Sequence, residues 1–294
     1  MKRRCEGKVA LVTGASRGAG RGIAVELGAA GATVVVTGRS TRTDTPEVYG
    51  DIMQRSALDS VPGTIEDTAE AVDEAGGRGI AHRCDHTRDE EVRALVDRVL
   101  REHGRVDLLV NNAWGGHEVF DAVFDAPFWE RDIDEWGAMM DRGVRNHWLA
   151  SRAVAPAMVE AGTGLIVATT FWDRDRVLKG NLMYDLAKAA INRLAIATAA
   201  ELGEHGVTSL ALSPGWMRTE WILAGHETDE AHWTEKPELA RTESPRYLGR
   251  AVAALLADPD VFDKTGSVLR VGDLAAEYGF TDIDGRRVPP FELG

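Results

Sequence analysis

The stretch Val-Ala-Leu-Val-Thr-Gly-Ala-Ser-Arg-Gly-Ala-Gly, residues 9–20, decides the fold of this chain. Its first four residues form a short apolar run, which is typical of a buried strand. Gly14, Gly18 and Gly20 follow at spacings that allow a tight turn, close approach of the backbone to a phosphate and tight packing of a helix on the strand. Residues 18–30 continue with apolar side chains at helical spacing. The stretch therefore predicts a strand, a glycine turn and a helix whose N-terminal N–H groups can bind the diphosphate of a dinucleotide.

The remainder of the chain repeats this alternation of strands and helices. Short apolar runs predict further strands at Thr33–Thr37, near 79–84, and at Val106–Val110, Leu165–Thr170, Val207–Leu212 and Gly266–Val271. Helices are predicted near 64–75, 88–103, 133–160 and 182–204, and from Pro245, preceded by the N-cap Ser244, to Leu256. This alternation predicts a single α/β domain over residues 1–294. Its core is expected to be a Rossmann-type, doubly wound parallel sheet with helices on both faces.

Three segments do not follow the alternation. Residues 40–63 are polar and too long for an ordinary loop, so they are expected to be an insertion. Residues 216–241 are rich in Trp, His and Glu and follow the carboxyl end of a strand, where a substrate lid is expected. The alternative for both segments is surface decoration. Residues 273–294 form a C-terminal tail.

The composition is that of an ordinary globular protein, with 44% hydrophobic and 28% charged residues. A net charge of −13 argues against non-specific binding of nucleic acid. The two cysteines, Cys5 and Cys84, suit a reducing compartment, and no His/Asp/Cys cluster predicts a metal site. No apolar run reaches the ~18 residues that span a bilayer. We therefore expect a cytoplasmic protein with no nucleic-acid or membrane partner.

The end of the second strand predicts which dinucleotide is bound. NAD-binding folds of this type carry an acidic residue there, which accepts hydrogen bonds from the ribose hydroxyl. This chain has Gly38-Arg39-Ser40 instead, and Arg17 inside the glycine turn is a second cation near the same place. Guanidinium groups pair with a 2′-phosphate, so the pattern favours NADP(H). The alternative is two solvated surface arginines.

Tyr184 and Lys188 are four residues apart in a predicted helix, so both side chains project from one face. A nearby ammonium stabilises phenolate and lowers the pKa of the phenol from about 10 toward the working range of an acid/base catalyst. By itself this spacing is very common and is better explained by a solvated helix face, so its interpretation depends on the other motifs of the chain.

Five motifs follow one another along the chain: Thr13-Gly14-(x)3-Gly18-x-Gly20, Asp85, Asn111-Asn112-Ala113, Tyr184-(x)3-Lys188 and Pro214-Gly215-(x)3-Thr219. In this order they resemble the short-chain dehydrogenase/reductase (SDR) family, and the similarity covers about residues 7–272. Within the family, residues 128–143 and the insertion after Arg39 are similar to the subgroup that contains dehydrogenase/reductase member one. That subgroup is associated with NADPH-dependent carbonyl reduction.

The resemblance implies a role for each motif. Tyr184 is expected to be the general acid in reduction or the base in oxidation, while Lys188 holds the nicotinamide ribose and lowers the Tyr184 pKa. Asp85 is expected to contact the adenine, the two asparagines to line the cofactor cleft, and the Pro-Gly-Thr motif to hold the nicotinamide carboxamide. The residues expected to bind NADP(H) are Gly14, Ser16, Arg17, Gly18, Ala19, Gly20, Arg39, Asp85, Asn111, Asn112, Tyr184, Lys188, Pro214, Gly215 and Thr219.

Two positions depart from the family pattern. The family usually has a Ser at the end of the fifth strand, which orients the substrate oxygen. Ungapped counting from Tyr184 puts Phe171 there, and a shift of one residue puts Thr170 there. We expect Thr170 to take the role, with Thr169 as the second choice, since Thr offers the same hydroxyl.

The second departure concerns an Asn in the long helix. In the family this Asn often starts a water-linked proton path to the Lys. The corresponding residue is Gly143, with Asn146 one turn later as a weak substitute. The usual tetrad is therefore in doubt, whereas the Tyr–Lys pair is intact.

Aromatic residues cluster in the segments expected to border the site, at the carboxyl ends of the strands. The expected substrate contacts are Trp114, His117, Trp172 and Trp216. They predict an apolar pocket for a hydrophobic carbonyl, with His117 as a polar rim residue. The alternative is that these rings serve core packing or subunit contacts.

Together these features predict an NADP(H)-dependent oxidoreductase that moves a hydride between nicotinamide and a small-molecule carbonyl or alcohol. An NAD-dependent alcohol dehydrogenase and a non-catalytic dinucleotide-binding sensor are the alternatives. The resemblance also implies a homodimer or homotetramer, most simply through the helices predicted at 133–160 and 182–204.

Overall fold

The computed structural model of the chain describes residues 4–44, 63–116, 127–172, 174 and 176–293. In this part of the chain seven parallel strands form one sheet: β1 (Val9–Val12), β2 (Thr33–Gly38), β3 (Arg78–Arg83), β4 (Leu108–Asn111), β5 (Gly164–Thr169), β6 (Val207–Ser213) and β7 (Val268–Arg270). Their order across the sheet is β3-β2-β1-β4-β5-β6-β7. The chain therefore winds outward in two directions from β1 and β4, and a crevice opens between the carboxyl ends of these two strands. The prediction of a doubly wound parallel sheet is confirmed.

Helices cover both faces of this sheet. They are α1 (Gly18–Ala29), α2 (Ile65–Glu74), α3 (Asp89–His103), α4 (Arg145–Ala161), α5 (Leu182–Leu202), α6 (Glu220–Gly225), α7 (Pro245–Ala257) and α8 (Val271–Tyr278). Alternate residues of β1 point to opposite faces, as strand geometry requires. Val12 packs with Ile23 of α1 in one apolar layer, whereas Leu11 packs with Val96 of α3 in the other. Because both faces are covered, every residue of β1 is buried.

The long helix predicted at 133–160 is divided in two. Its first part, Gly137–Val144, is a π-helix, and the regular helix α4 begins only at Arg145. Such segments are rare and frequently occur at functional sites. The predicted C-terminal tail also differs, since β7 is shorter than expected and α8 follows it directly. Val271, Leu274 and Ala275 are buried at helical spacing and explain this extra helix.

Two segments that the sequence analysis singled out follow strands β2 and β6 in the chain. Residues 45–62 of the predicted insertion lie outside the described residues. Residues 216–241, the predicted lid, contain α6 and two short 3₁₀ turns, at Trp233–Glu235 and Pro237–Arg241. Ser244 precedes α7 as expected, but its hydroxyl donates to Asp282 of the C-terminal tail rather than capping the helix.

Candidate active site

The glycine turn is fixed to the neighbouring strand by Thr13. The Thr13 hydroxyl donates to the carbonyl of Val110 at 3.0 Å and accepts the N–H groups of Asn112 and Ala113 at 2.9 and 3.0 Å. Gly14 follows with φ +64°, and a Cβ on it would lie 2.7 Å from the Cα of Ala113. Only glycine fits this turn without strain, so the crevice between β1 and β4 is bordered by bare backbone.

The N-terminus of α1 already binds an anionic group of the protein itself. The Gly18 N–H donates to the carboxylate of Glu220, at 3.1 Å from Oε2. Free N–H groups and the helix dipole favour negative charge at this end. Ser16 lies in the turn, and Ala19 and Gly20 lie in the first turn of α1. The turn therefore fits a diphosphate, and a carboxylate 202 positions away, which no local pattern indicated, already accepts one of its N–H groups.

Two arginines lie at the end of β2. The Arg17 guanidinium donates to the Ser40 hydroxyl at 2.9 Å and to the Gly63 carbonyl at 3.0 Å. Arg39 is near Asp85 at the end of β3. Burial alone would raise the pKa of Asp85, but hydrogen bonds from Thr87 and the charge of Arg39 hold that pKa below its ordinary value. The structure thus brings these predicted cofactor residues together at one edge of the crevice.

The two asparagines at the carboxyl end of β4 make hydrogen bonds within the fold. The Asn111 amide donates to the Ser151 hydroxyl of α4 at 2.8 Å and is buried. The Asn112 amide donates to the carbonyls of Thr13 and Gly14, both at 3.0 Å. Both amides therefore make internal contacts, and their expected role in lining the cofactor cleft stays a prediction.

Tyr184 and Lys188 share one face of α5. The helix begins at Leu182, and the side chain of its N-cap Asn181 accepts the Tyr184 N–H at 3.3 Å. The Lys188 Nζ lies 5.4 Å from the centroid of the Tyr184 ring and 3.7 Å from that of Trp114. The spacing argument from the sequence holds, since both side chains point to the same place.

Burial dominates the protonation of this pair. It lowers the pKa of Lys188 to about 7 and raises the pKa of Tyr184 to about 12. The direction for Tyr184 is opposite to the one expected from a neighbouring ammonium. At neutral pH the phenol is therefore a proton donor, whereas Lys188 lies close to the midpoint of its titration.

Neither threonine at the end of β5 points its hydroxyl hydrogen at the phenol. The Thr170 hydroxyl donates to the main-chain carbonyl of Lys188 at 3.1 Å, and that of Thr169 donates to the Asn111 carbonyl at 3.3 Å. The Phe171 ring instead faces Tyr184, with 6.4 Å between ring centroids. An apolar ring thus occupies the side of Tyr184 where the family pattern has a Ser.

The predicted aromatic pocket is only partly assembled. Trp114 packs edge-on against Tyr184, with 5.7 Å between ring centroids. Trp172 follows Phe171 and binds the Ser213 hydroxyl through its main-chain N–H. Trp216 belongs to the apolar core of the predicted lid, and His117 lies outside the described residues. One further ring, Phe291 of the C-terminal tail, packs against Phe171 at 6.1 Å and was missed by the sequence analysis.

A buried arginine connects the predicted lid to the C-terminal tail. Arg218 is 1% exposed, and its guanidinium contacts Glu230 at 2.9 Å, Asp282 at 3.2 Å and Asp284 at 3.3 Å. It also lies over the ring of Trp233 at 4.4 Å. These partners are distant in sequence, so nothing in the local pattern marked the cluster. It holds the segment after Pro214-Gly215 against residues 282–284.

Gly215 precedes the predicted lid, and Thr219 lies near its start. The Gly215 N–H donates to the buried carboxylate of Glu243. Burial raises the pKa of Glu243 to about 8, so this carboxyl is largely protonated at neutral pH. Thr219 precedes α6 and contacts the glycine turn, since a Cβ on Gly18 would lie 3.7 Å from its methyl carbon. The predicted lid and the glycine turn are thus in direct contact.

In the described ranges no group of three His, Cys, Asp or Glu side chains could hold a metal ion. No described helix combines the length and apolar character needed to cross a membrane.

Comparisons with known proteins agree on one family. The model of a family described as enoyl-(acyl carrier protein) reductase matches residues 56–272. Dehydrogenase/reductase SDR family member 1 of Mus musculus is 39% identical over 296 residues, covering 98% of this chain and 88% of that protein.

Solved structures give the same result. A short chain dehydrogenase from Mycobacterium thermoresistibile is 26% identical with a TM-score of 0.78, over 99% of this chain and 94% of its own. A 7 alpha-hydroxysteroid dehydrogenase complexed with NADH and 7-oxo glycochenodeoxycholic acid is 26% identical with a TM-score of 0.70, over 92% and 94% of the two chains. A metagenomic short-chain oxidoreductase complexed with NADP is 26% identical with a TM-score of 0.66, over 91% and 98%.

Proposed function

The chain belongs to the short-chain dehydrogenase/reductase family, and from this premise we propose that it is an NADP(H)-dependent oxidoreductase. It moves a hydride between nicotinamide and a hydrophobic carbonyl compound or the corresponding alcohol. The observation that carries the proposal is the pairing of Tyr184 with Lys188 on one face of α5, beside the crevice that the glycine turn borders.

The preference for NADP(H) rests on charge at the end of β2. Arg17 and Arg39 lie there, and residues 38–40 contain no acidic side chain. A 2′-phosphate pairs with guanidinium groups, whereas the ribose hydroxyl of NAD is normally held by a carboxylate. The related structures do not choose between the cofactors, since one binds NADH and another NADP.

Different residues of the crevice would bind different parts of the cofactor. The backbone of Gly14–Gly20 would hold the diphosphate, Arg17 and Arg39 the 2′-phosphate, and Lys188 the nicotinamide ribose. When bound, the nicotinamide supplies or accepts the hydride. The remaining expected contacts, for the adenine, the cleft wall and the carboxamide, are Asp85, Asn111, Asn112, Pro214, Gly215 and Thr219.

The proton chemistry belongs to Tyr184. Its pKa of about 12 keeps the phenol protonated, so it can donate its proton to the oxygen of a carbonyl during reduction. Lys188 supplies positive charge beside the phenol and stabilises the phenolate that this transfer leaves. Thr170, the expected substrate-orienting hydroxyl, reaches the substrate only by giving up its hydrogen bond to the Lys188 carbonyl.

Apolar rings support a hydrophobic substrate. Trp114 and Phe171 each pack against Tyr184, and Phe291 packs against Phe171. Trp172 and Trp216 lie on the segments that follow β5 and β6. Such walls favour an aromatic or alicyclic carbonyl over a small polar one. A homodimer or homotetramer is also part of the proposal, because large apolar side chains remain exposed on α4 and α5: Trp148, Leu182 and Leu186.

The test is consumption of NADPH with a panel of ketones, aldehydes and quinones. Tyr184→Phe removes the proton donor and keeps the ring, so we expect at least a ~100-fold loss of kcat, the usual size of general acid catalysis. Equal rates in the two proteins would rule out the mechanism. Arg39→Ala should weaken NADPH binding and leave NADH binding unchanged, whereas Arg98→Ala, an exposed arginine on α3, serves as the matched control.

A second candidate is a dinucleotide-binding protein without turnover. Phe171 and Gly143 favour it, because they replace two polar side chains of the usual catalytic set. It predicts tight NADPH binding, no consumption of NADPH with any carbonyl, and no effect of Tyr184→Phe. A preference for NADH that Arg39→Ala does not change would instead indicate an NAD-dependent alcohol dehydrogenase.

A further inference from the structure

The indole ring of Trp114 lies in a slot formed by two glycines. A Cβ on Gly143, in the π-helix, would lie 2.5 Å from Cζ3 of this ring, and a Cβ on Gly116 would lie 2.6 Å from Cζ2. No side chain at either position fits beside the ring. Met139, which is fully buried, and Tyr184 pack against the same indole. The position and orientation of Trp114 are therefore fixed by the backbone around it.

The face of this ring lies against the buried ammonium of Lys188. The Nζ is 3.7 Å from the ring centroid, and Lys188 is 8% exposed. In the described part of the chain no carboxylate pairs with Lys188. The other titratable groups around it are Tyr184 on its own helix and His147 on α4. Burial, with a smaller effect of Lys188 itself, lowers the pKa of His147 to about 3, so this imidazole is neutral.

We propose that Trp114 is a positioning residue of the reaction, whose indole face holds the Lys188 ammonium beside Tyr184. The ring occupies space next to Gly143, the position at which the family usually has an asparagine side chain. The inference rests on the proposed function for its catalytic meaning, but the contact itself does not. It also accounts for Gly143: the ring needs the volume that any other residue at this position would fill.

The physical effect of the ring is to keep the lysine charged. Burial shifts Lys188 toward the neutral amine, which could no longer stabilise phenolate at Tyr184. An aromatic face attracts a cation through its quadrupole, with Trp the most effective ring, and the attraction grows when water is excluded. In a desolvated site it favours the ammonium by about tenfold, which corresponds to about one pKa unit. Trp114 thus stabilises the charged form of Lys188, as a neighbouring carboxylate does for a buried lysine in other proteins.

The contact can be tested in the protein without cofactor. The chain has six lysines, so ¹³Cε-labelled lysine gives six resolvable NMR signals, and Lys188→Arg identifies the signal of Lys188. The ring current of Trp114 should move that signal clearly upfield of the other five. We expect Trp114→Phe to reduce this displacement and Trp114→Leu to abolish it, with the Lys188 pKa falling by about one unit in Trp114→Leu and less in Trp114→Phe. Trp129→Phe, at an exposed tryptophan, is the matched control and should change neither quantity.

A second experiment tests the shared space. Gly143→Asn alone should displace the ring, remove the upfield signal and lower kcat, because its Cβ collides with Trp114. Trp114→Ala alone should also lower kcat. Trp114→Ala/Gly143→Asn should recover kcat by about tenfold over Trp114→Ala and return the pH profile toward that of the wild type. Removing the ring relieves the clash at residue 143 whatever its role, so stability is expected to be non-additive in either case. A merely structural role for Trp114 would restore stability in the double variant but leave the pH profile of kcat displaced, and that result would overturn the proposal.

The two hypotheses fail in different ways. If the wild type consumes no NADPH with any carbonyl, the proposed function fails, and the NMR signal of Lys188 still decides the contact with Trp114. If the wild type is active but the Lys188 signal and pKa are the same in Trp114→Leu, the inference is wrong. Should Trp114→Leu not fold, Trp114→Phe carries the same measurement, because it keeps an apolar ring in the slot. An unchanged Lys188 signal in that variant would equally overturn the proposal.

Discussion

Glu220→Gln should tighten the binding of NADPH and at the same time weaken the cofactor-free fold. The Glu220 carboxylate accepts the Gly18 N–H at 3.1 Å, at the helix end where the diphosphate is proposed to bind. A phosphate oxygen cannot use the same N–H until the carboxylate moves, and the two anions repel each other at short range. The amide of glutamine has the same shape and carries no charge, so the variant isolates the electrostatic effect.

The magnitude follows from the geometry. Two unit charges about 4 Å apart interact by about 1 kcal/mol in water and by more at a partly shielded site. Repulsion from a doubly charged diphosphate is then about 1–2 kcal/mol, so the Kd for NADPH should fall by about 5- to 30-fold. The favourable contact of the carboxylate with the N-terminus of α1 is lost in the free protein, which should cost about 0.3–1 kcal/mol of unfolding free energy.

Calorimetric titration with NADPH and urea unfolding of the cofactor-free protein measure the two effects. Glu235→Gln, an exposed residue of the same lid, makes the same change in net charge and is the control. The difference between the two variants should shrink as salt is added, because screening weakens the repulsion. Competition between Glu220 and the diphosphate is excluded if Glu220→Gln leaves the Kd unchanged or raises it, or if Glu235→Gln tightens binding equally.

Three further predictions concern charge at the two ends of the crevice and in the lid. Arg39→Ala should raise the Kd for NADPH by about tenfold or more, because it removes a charge-assisted contact, and it should leave the Kd for NADH unchanged. Equal losses of affinity for both cofactors in a fluorescence titration would contradict this prediction. Arg218→Met should lower the unfolding free energy by about 2–4 kcal/mol in urea, because it leaves the carboxylate of Asp282 buried without its cation; a loss below about 1 kcal/mol would contradict this. In the folded protein the pKa of Glu243 is about 8, against an ordinary value of 4.5. Between these pH values the folded state binds a proton that the unfolded state does not, so the free energy of unfolding should fall as the pH rises through this range. Glu243→Gln should flatten that dependence in unfolding curves at about pH 5, 7 and 9, and an unaltered slope would show that Glu243 is not its source.

The parts of the fold that could be predicted are those with a local signal. The apolar run at Val9–Val12, the glycine turn and α1 are consecutive in the sequence, and the structure has them as expected. The Tyr184 and Lys188 pair was equally accessible, because helical geometry alone sets their common face. Periodicity also predicted α3 and α5 to within two residues at either end.

The parts that could not be predicted depend on residues far apart in the chain. Glu220 reaches Gly18 across 202 positions, and Arg218 meets Asp282 across 64. The π-helix before α4 has the composition of an ordinary helix, and the side-chain pattern does not distinguish its i→i+5 hydrogen bonds from those of an α-helix. The direction of the Tyr184 pKa depends on how much of its surface is covered, which spacing does not determine.

The Arg218 cluster joins the predicted lid to the C-terminal segment, so a change in one segment affects the other. Glu230 belongs to the predicted lid. Asp284 belongs to the C-terminal segment, whose Phe291 packs against Phe171, and the Arg218 guanidinium contacts both carboxylates. A library that randomises residues 216–241 would therefore also disturb the segment that carries Phe291. Engineering of the proposed substrate pocket should hold Arg218 and its three acidic partners constant, keep Trp114 beside Lys188, and vary Phe171.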